Sequence, residues 1–228
     1  MSQRAYYQPP TRFSVFPPVI KNLLILNGLV FFAQQVPTTA TFLIQWAALW
    51  PFSVPEAVRT FSGAVVQIPG FWPWQLVTYA FLHGGLWHLL FNMFALWMFG
   101  VQIENSWGSR RFAIYYFICV IGAGVVQALV MWGQPVPTLG ASGGVFGVLV
   151  AFGMMFPNQR IMLLIPPIPI KAKWFVIGYG AIELFLGVTG GQAGVANFAH
   201  VGGAVVGFLV IQYWRGKLPV APKQQMRW

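Results

Sequence analysis

The sequence predicts an all-α, polytopic membrane protein: a six-transmembrane-helix bundle with a membrane-associated first loop. Three observations point there. Of the 228 residues only 7% are charged and 57% are hydrophobic. A soluble domain carries about 25% charged residues, so this stock cannot build a water-facing surface. The mean hydropathy of +0.68 agrees, and the wealth of aliphatic and aromatic side chains excludes disorder. Finally, the apolar residues gather into six stretches, roughly 19–36, 86–103, 112–132, 141–156, 174–189 and 198–214.

The first stretch follows a polar, Pro-rich N-terminus and is not trailed by a small-residue cleavage site, so it is expected to remain as a helix. The segment from Pro37 to Trp74 is a long connection. Its run Phe42–Trp50 is too short to cross, and Trp46, Trp50, Trp72 and Trp74 suit the headgroup region. The stretch Phe112–Trp132 is uncharged and long enough to span. The fourth stretch would reach only ~24 Å at 1.5 Å per residue, short of a ~30 Å hydrocarbon core. Its start is therefore expected to be submerged, met by a Pro135–Gly140 loop that dips in from one face. The domain organisation reads as a cytoplasmic tail at 1–18, a membrane domain at 19–214 and a second cytoplasmic tail at 215–228.

Charge sets the orientation. The net charge is +10 from thirteen Lys and Arg, scattered between apolar segments with no dense basic stripe, so nucleic acid is not an expected partner. Arg4, Arg12 and Lys21 precede the first span; Arg110 and Arg111 follow the second. Arg160, Lys171 and Lys173 lie between the fourth and fifth, and Arg215, Lys217, Lys223 and Arg227 follow the sixth. With six spans, all of these share one side and only Arg59 falls on the other. The positive-inside rule then places both termini in the cytoplasm. The lone Cys119 permits no internal disulfide and no multi-cysteine metal site.

Polar residues inside apolar spans are costly and tend to be functional. Spans two, four and six all run from outside to inside. His88 with Asn92 one turn deeper, Ser142 at the start of span four and His200 at the start of span six therefore share one depth near the outer face. A serine at a helix N-terminus sits beside free backbone N–H groups that favour an anion. Gly143 and Gly147, and likewise Gly203 and Gly207, are four apart, so spans four and six each carry a small-residue seam for close approach. Phe146, one turn beyond Ser142, can support an imidazole.

The chain has no Asp, and its acids are Glu56, Glu104 and Glu183. Glu56 lies in the outer loop, Glu104 at the inner end of span two, and Glu183 mid-span, expected well below the site as a structural hydrogen-bonding group between helices. A Ser–His dyad follows, with Ser142 as nucleophile and His200 as general base and then acid. His88, Asn92 and the Ser142 backbone N–H are the expected oxyanion donors. His83 is expected to position the loop or a water network rather than perform chemistry, and Asn197 to order the cavity mouth. No cofactor or metal is called for: the three histidines have no acidic partner at ligand depth, and there is no HExxH.

These residues resemble the rhomboid intramembrane serine proteases, in their six-span bacterial form. Gly140-Ala141-Ser142-Gly143 resembles the GxSG nucleophile motif, and Ala199-His200-Val201-Gly202-Gly203 resembles the AHxxG motif of the base. His83, His88 and Asn92 fit the two histidines and asparagine of the second helix, and Glu104 with Gly108-Ser109 resembles the turn after it. The resemblance runs from about Trp72 to Trp214. Two departures stand out: Trp74-Gln75 where the family often has Trp-Arg, and Phe146 where many members have tyrosine.

The resemblance implies hydrolysis of transmembrane protein substrates at small or helix-destabilising residues near the outer face. Water would enter from outside, and substrate would enter through movement of a helix or loop. The fifth span, interrupted by Gly178 and Gly180, is the candidate for that movement. The expected location is a bacterial inner membrane; oligomeric state is not legible. Two rival readings are a catalytically inactive rhomboid-like client-binding protein, whose kind usually lacks the serine or the histidine, and a channel or transporter. The latter would distribute ionisable residues across the membrane, whereas here the polar cluster is confined to the outer half.

Overall fold

The computed structural model describes residues 13–59, 63–163, 166–189, 196–220, 222, 225 and 226; Arg4, Arg12, Lys223 and Arg227 lie outside them. Helices occupy all six apolar stretches: α1 (Pro18–Gln34), α4 (Leu86–Trp107), α5 (Ser109–Val130), α6 (Ser142–Met155), α7 (Ala172–Thr189) and α8 (Asn197–Trp214). Between α1 and α4 come α2 (Pro37–Ala47) and the short α3 (Gln75–Thr78), which runs on into one 3₁₀ turn. By length and composition α4, α5 and α7 can each cross a membrane, while α1 and α6 are shorter apolar helices.

The all-α expectation is corrected in one respect. Two antiparallel two-stranded ladders interrupt the connections: β1 (Ala57–Arg59) with β2 (Val65–Gln67), and β3 (Arg160–Met162) with β4 (Pro169–Lys171). Three-residue strands rich in Val and Ile carry too little periodicity to show in a hydropathy reading.

Where α1 begins, Pro18 occupies the first turn, where its missing N–H costs nothing. The next two N–H groups donate to a side chain from elsewhere: Val19 N to Glu104 Oε1 and Ile20 N to Glu104 Oε2, each at 2.9 Å. The Ser109 hydroxyl donates to the same carboxylate at 2.6 Å. Glu104 thus caps α1 from the end of α4, a role not visible in sequence because the partners stand 84 residues apart.

The loop after α1 is ordered by side-chain anchors. Gln75 is fully buried, and its Oε1 accepts from the Trp50 and Trp72 backbone N–H groups, both at 3.2 Å. The residue that departs from the family's arginine is therefore the one that gathers this loop. Trp74 Nε1 donates to the Trp46 carbonyl at 2.9 Å, fastening α2 to the approach of α3. Leu49 and Thr138 exchange both backbone hydrogen bonds, at 2.9 and 2.8 Å, joining the loop to the segment before α6.

The core lies where α5, α6 and α8 meet. Ten of the fourteen residues of α6 are buried. A Cβ on Gly203 would overlap the Gly143 carbonyl, and one on Gly207 would stand 3.0 Å from the Gly147 Cα. The two small-residue seams face each other and let the backbones of α6 and α8 touch. Tyr115 of α5 seals the contact by donating to the Gly147 carbonyl at 2.6 Å.

Candidate active site

Ser142 is the first residue of α6, preceded by Gly140 at φ 128°. That backbone conformation suits glycine, and the lack of a side chain matters as much. A Cβ on Gly140 would come within 2.8 Å of His88 Nε2 and 3.7 Å of Ser142 Oγ. The His88 ring tip and the Ser142 hydroxyl therefore border the same point. Gly140 N–H donates to the Tyr79 carbonyl at 3.0 Å, which fixes the turn into α6.

His200 stands one turn into α8, brought to Ser142 by the glycine seam below it. Its Nε2 lies 2.7 Å from Ser142 Oγ. The ring stacks on Phe146, 4.5 Å between centroids and 6° between planes. Phe146 in turn packs against Tyr179 of α7 at 4.9 Å. Stacking sets the tilt of the imidazole, and the phenyl ring supplies that surface without the hydroxyl of a tyrosine.

On the facing wall, Asn92 is buried and uses one amide proton on the His88 carbonyl at 2.9 Å. A side-chain amide has two, so a second remains to donate. His88 Nδ1 accepts from Gly84 N–H at 3.3 Å, which leaves Nε2 as the group facing Gly140. His83 packs edge-on against His88 at 5.1 Å. Gln34 of α1 grips its backbone, accepting from His83 N–H at 3.0 Å and donating to its carbonyl at 3.3 Å. Among the described residues neither ring nitrogen of His83 has a hydrogen-bond partner. Burial, and then the neighbouring His88, push His83 down to about 4, so the ring is neutral at physiological pH.

One residue stands where sequence reasoning did not place it. Glu183, expected well below the site, has its Oε2 2.8 Å from His200 Nδ1. The same oxygen accepts from Asn197 Nδ2 at 2.7 Å. Counting residues from the helix ends puts Glu183 ~9 Å into α7 and His200 ~4.5 Å into α8. The glutamate side chain reaches across that difference to meet His200 directly. The available signal was the pairing itself: an intramembrane acid opposite a helix that carries Asn197 and His200 three residues apart, on one face.

The Rhomboid domain family matches residues 71–216. The mitochondrial Rhomboid protein 1 of Saccharomyces cerevisiae is 28% identical over 96% of this chain and 59% of its own length. Rhomboid protease GluP of Bacillus subtilis is 36% identical over 59% of this chain and 25% of its own. Rhomboid protease GlpG of Yersinia pestis is 28% identical over 86% of this chain and 62% of its own. The chain thus spans less than two thirds of the length of each of these relatives.

Proposed function

Because the chain belongs to the rhomboid family, we propose that it is an intramembrane serine endopeptidase that cuts transmembrane protein substrates through a Ser142–His200 dyad. The observation that carries this reading is the 2.7 Å contact between His200 Nε2 and Ser142 Oγ, with the ring held flat on Phe146. Ser142 Oγ attacks the scissile carbonyl carbon as its proton passes to Nε2. The tetrahedral intermediate collapses, the C–N bond breaks, and Nε2 returns the proton to the leaving amine. Water then attacks the acyl ester, giving a proton to Nε2 that goes back to Oγ as the acid product leaves. His88 Nε2–H, the free Asn92 amide proton and the Ser142 backbone N–H serve the oxyanion. No cofactor is needed.

The helices α1, α4, α5, α6, α7 and α8 are read as six spans, with residues 1–18 and 215–228 in the cytoplasm and the site toward the outer face of a bacterial inner membrane. The loop from Pro37 to Trp74 lies against the membrane, and α7 moves aside to admit substrate. Substrates are transmembrane helices with small or helix-destabilising residues near the outer face.

Labelling of detergent-solubilised protein by a fluorophosphonate probe tests this. Wild type should label, and Ser142→Ala and His200→Ala should each lose ~10⁴-fold or more of the activity while remaining folded. No labelling of folded wild type, beside a labelled active rhomboid, would favour the inactive client-binding protein.

A further inference from the structure

The dyad is not the end of the hydrogen-bond chain. Ser142 Oγ, His200 Nε2, His200 Nδ1 and Glu183 Oε2 are linked in series by contacts of 2.7 and 2.8 Å, the geometry of a base held by an acid behind it. Asn197 holds the far end by donating to the same carboxylate oxygen at 2.7 Å. Glu183 is buried and is the only acid on α7.

With a neutral imidazole, two proton arrangements fit these distances. In one, Nδ1 carries the proton and donates to a carboxylate, leaving Nε2 free to accept from Ser142. In the other, a carboxylic acid donates to Nδ1 and Nε2–H points at the serine, which leaves no base for its proton. The second arrangement holds one proton more than the first, and handing that proton from the carboxyl to Nδ1 would give an imidazolium with Nε2 still protonated, so only the first leaves a base for Ser142. Oε2 already accepts from Asn197, which suits the charged form further, because a carboxylate oxygen readily accepts two hydrogen bonds.

We propose that Glu183 is a positioning residue for the base: its carboxylate keeps the His200 proton on Nδ1 and counters the charge the ring gains when Nε2 takes the Ser142 proton. This rests on the protease reading above. Glu183 touches neither substrate nor the reacting atoms and keeps its charge throughout. The proton shuttles between Oγ, Nε2 and the leaving amine, never reaching the carboxylate.

The two bonds converge on one oxygen, and that makes a clean test possible. In Glu183→Gln the single amide oxygen can occupy the Oε2 position and keep both bonds, losing only the charge. The expected result is a kcat about tenfold lower with KM unchanged, since a hydrogen bond to a charged partner exceeds a neutral one by roughly 1.4 kcal/mol, a factor of ten in rate. Glu183→Ala, losing both bonds, should fall about 10²-fold. A purely structural role would leave Glu183→Gln at wild-type kcat. A second measurement needs no variant fold: nitrogen-15 NMR of wild-type His200 should show a protonated Nδ1 and an unprotonated Nε2.

Wild-type kcat in Glu183→Gln, while Ser142→Ala and His200→Ala are dead, would overturn this inference and leave the protease reading standing. So would a His200 protonated on Nε2 alone. Folded wild type that neither cleaves nor labels would overturn both.

Discussion

The two helices that flank His200 are built on opposite terms. In α6, on one side, ten of fourteen residues are buried and the glycines are contact points: Gly143, Gly144 and Gly147 each stand where a Cβ would collide with a neighbouring helix. In α7, on the other side, only Ala172 and Glu183 of eighteen residues are buried, and Gly178 and Gly180 have nothing within 4 Å. The same residue type thus serves packing in one helix and leaves a gap in the other. Near its ends α7 is fastened, by Ala172 N–H to the Gln159 carbonyl at 2.8 Å and by Gly187 against Asn197 and Phe198. Between those ends its polar anchor is Glu183. Close packing is concentrated where Ser142 and His200 must meet at hydrogen-bond distance, and α7 reaches the site through a carboxylate and the ring of Tyr179.

Asn92, on the wall facing the seam, gives the largest test of this contrast after the dyad itself. Asn92→Ala should cost ~10²–10³ in kcat, the usual loss for one oxyanion donor, with little change in melting temperature. A wild-type rate would remove Asn92 from the oxyanion site. The contrast between the helices is broken or confirmed more directly by matched glycine substitutions. Gly203→Ala forces a methyl into the Gly143 carbonyl and should destabilise by about 3 kcal/mol, the upper end for overpacking. Gly178→Ala meets open space and should be neutral or stabilise by up to ~1 kcal/mol through helix propensity. Equal thermal shifts for the two variants would erase the distinction.

The smallest effect concerns His83, held neutral at about 4 by burial and by His88. The unfolded chain binds a proton there near 6.5. Its contribution to stability is therefore full above pH 6.5 and declines as pH falls toward 4, with no further slope below. His83→Asn should flatten that part of the melting-temperature profile relative to wild type. Parallel profiles would show that His83 is as easily protonated in the fold as outside it.

Much of the site could be read without coordinates. Ser142, His200, His88 and Asn92 were expected at one depth because alternate spans of a six-span bundle would run the same way, and depth follows from counting residues along helices. The facing glycine seams told which helices touch, since a run of small residues has few other uses in lipid. The apolar content of the outer loop made an ordered loop legible, but not the contacts that order it. Its order depends on Gln75 reaching the backbone of Trp50 across 25 residues, a contact that no periodicity encodes.

Composition, hydropathy and motif order by themselves determined the membrane class, the helical stretches and the serine, histidine and asparagine of the site, because each depends on residue type and on position along one chain. Only the tertiary structure decided that Glu104 caps α1, that Phe146 lies flat on His200, and that Glu183 reaches Nδ1. Each of these depends on the direction of a side chain across a helix crossing. A shift of ~1 Å or a turn of one rotamer would break the hydrogen bonds without altering a single hydrophobic pattern.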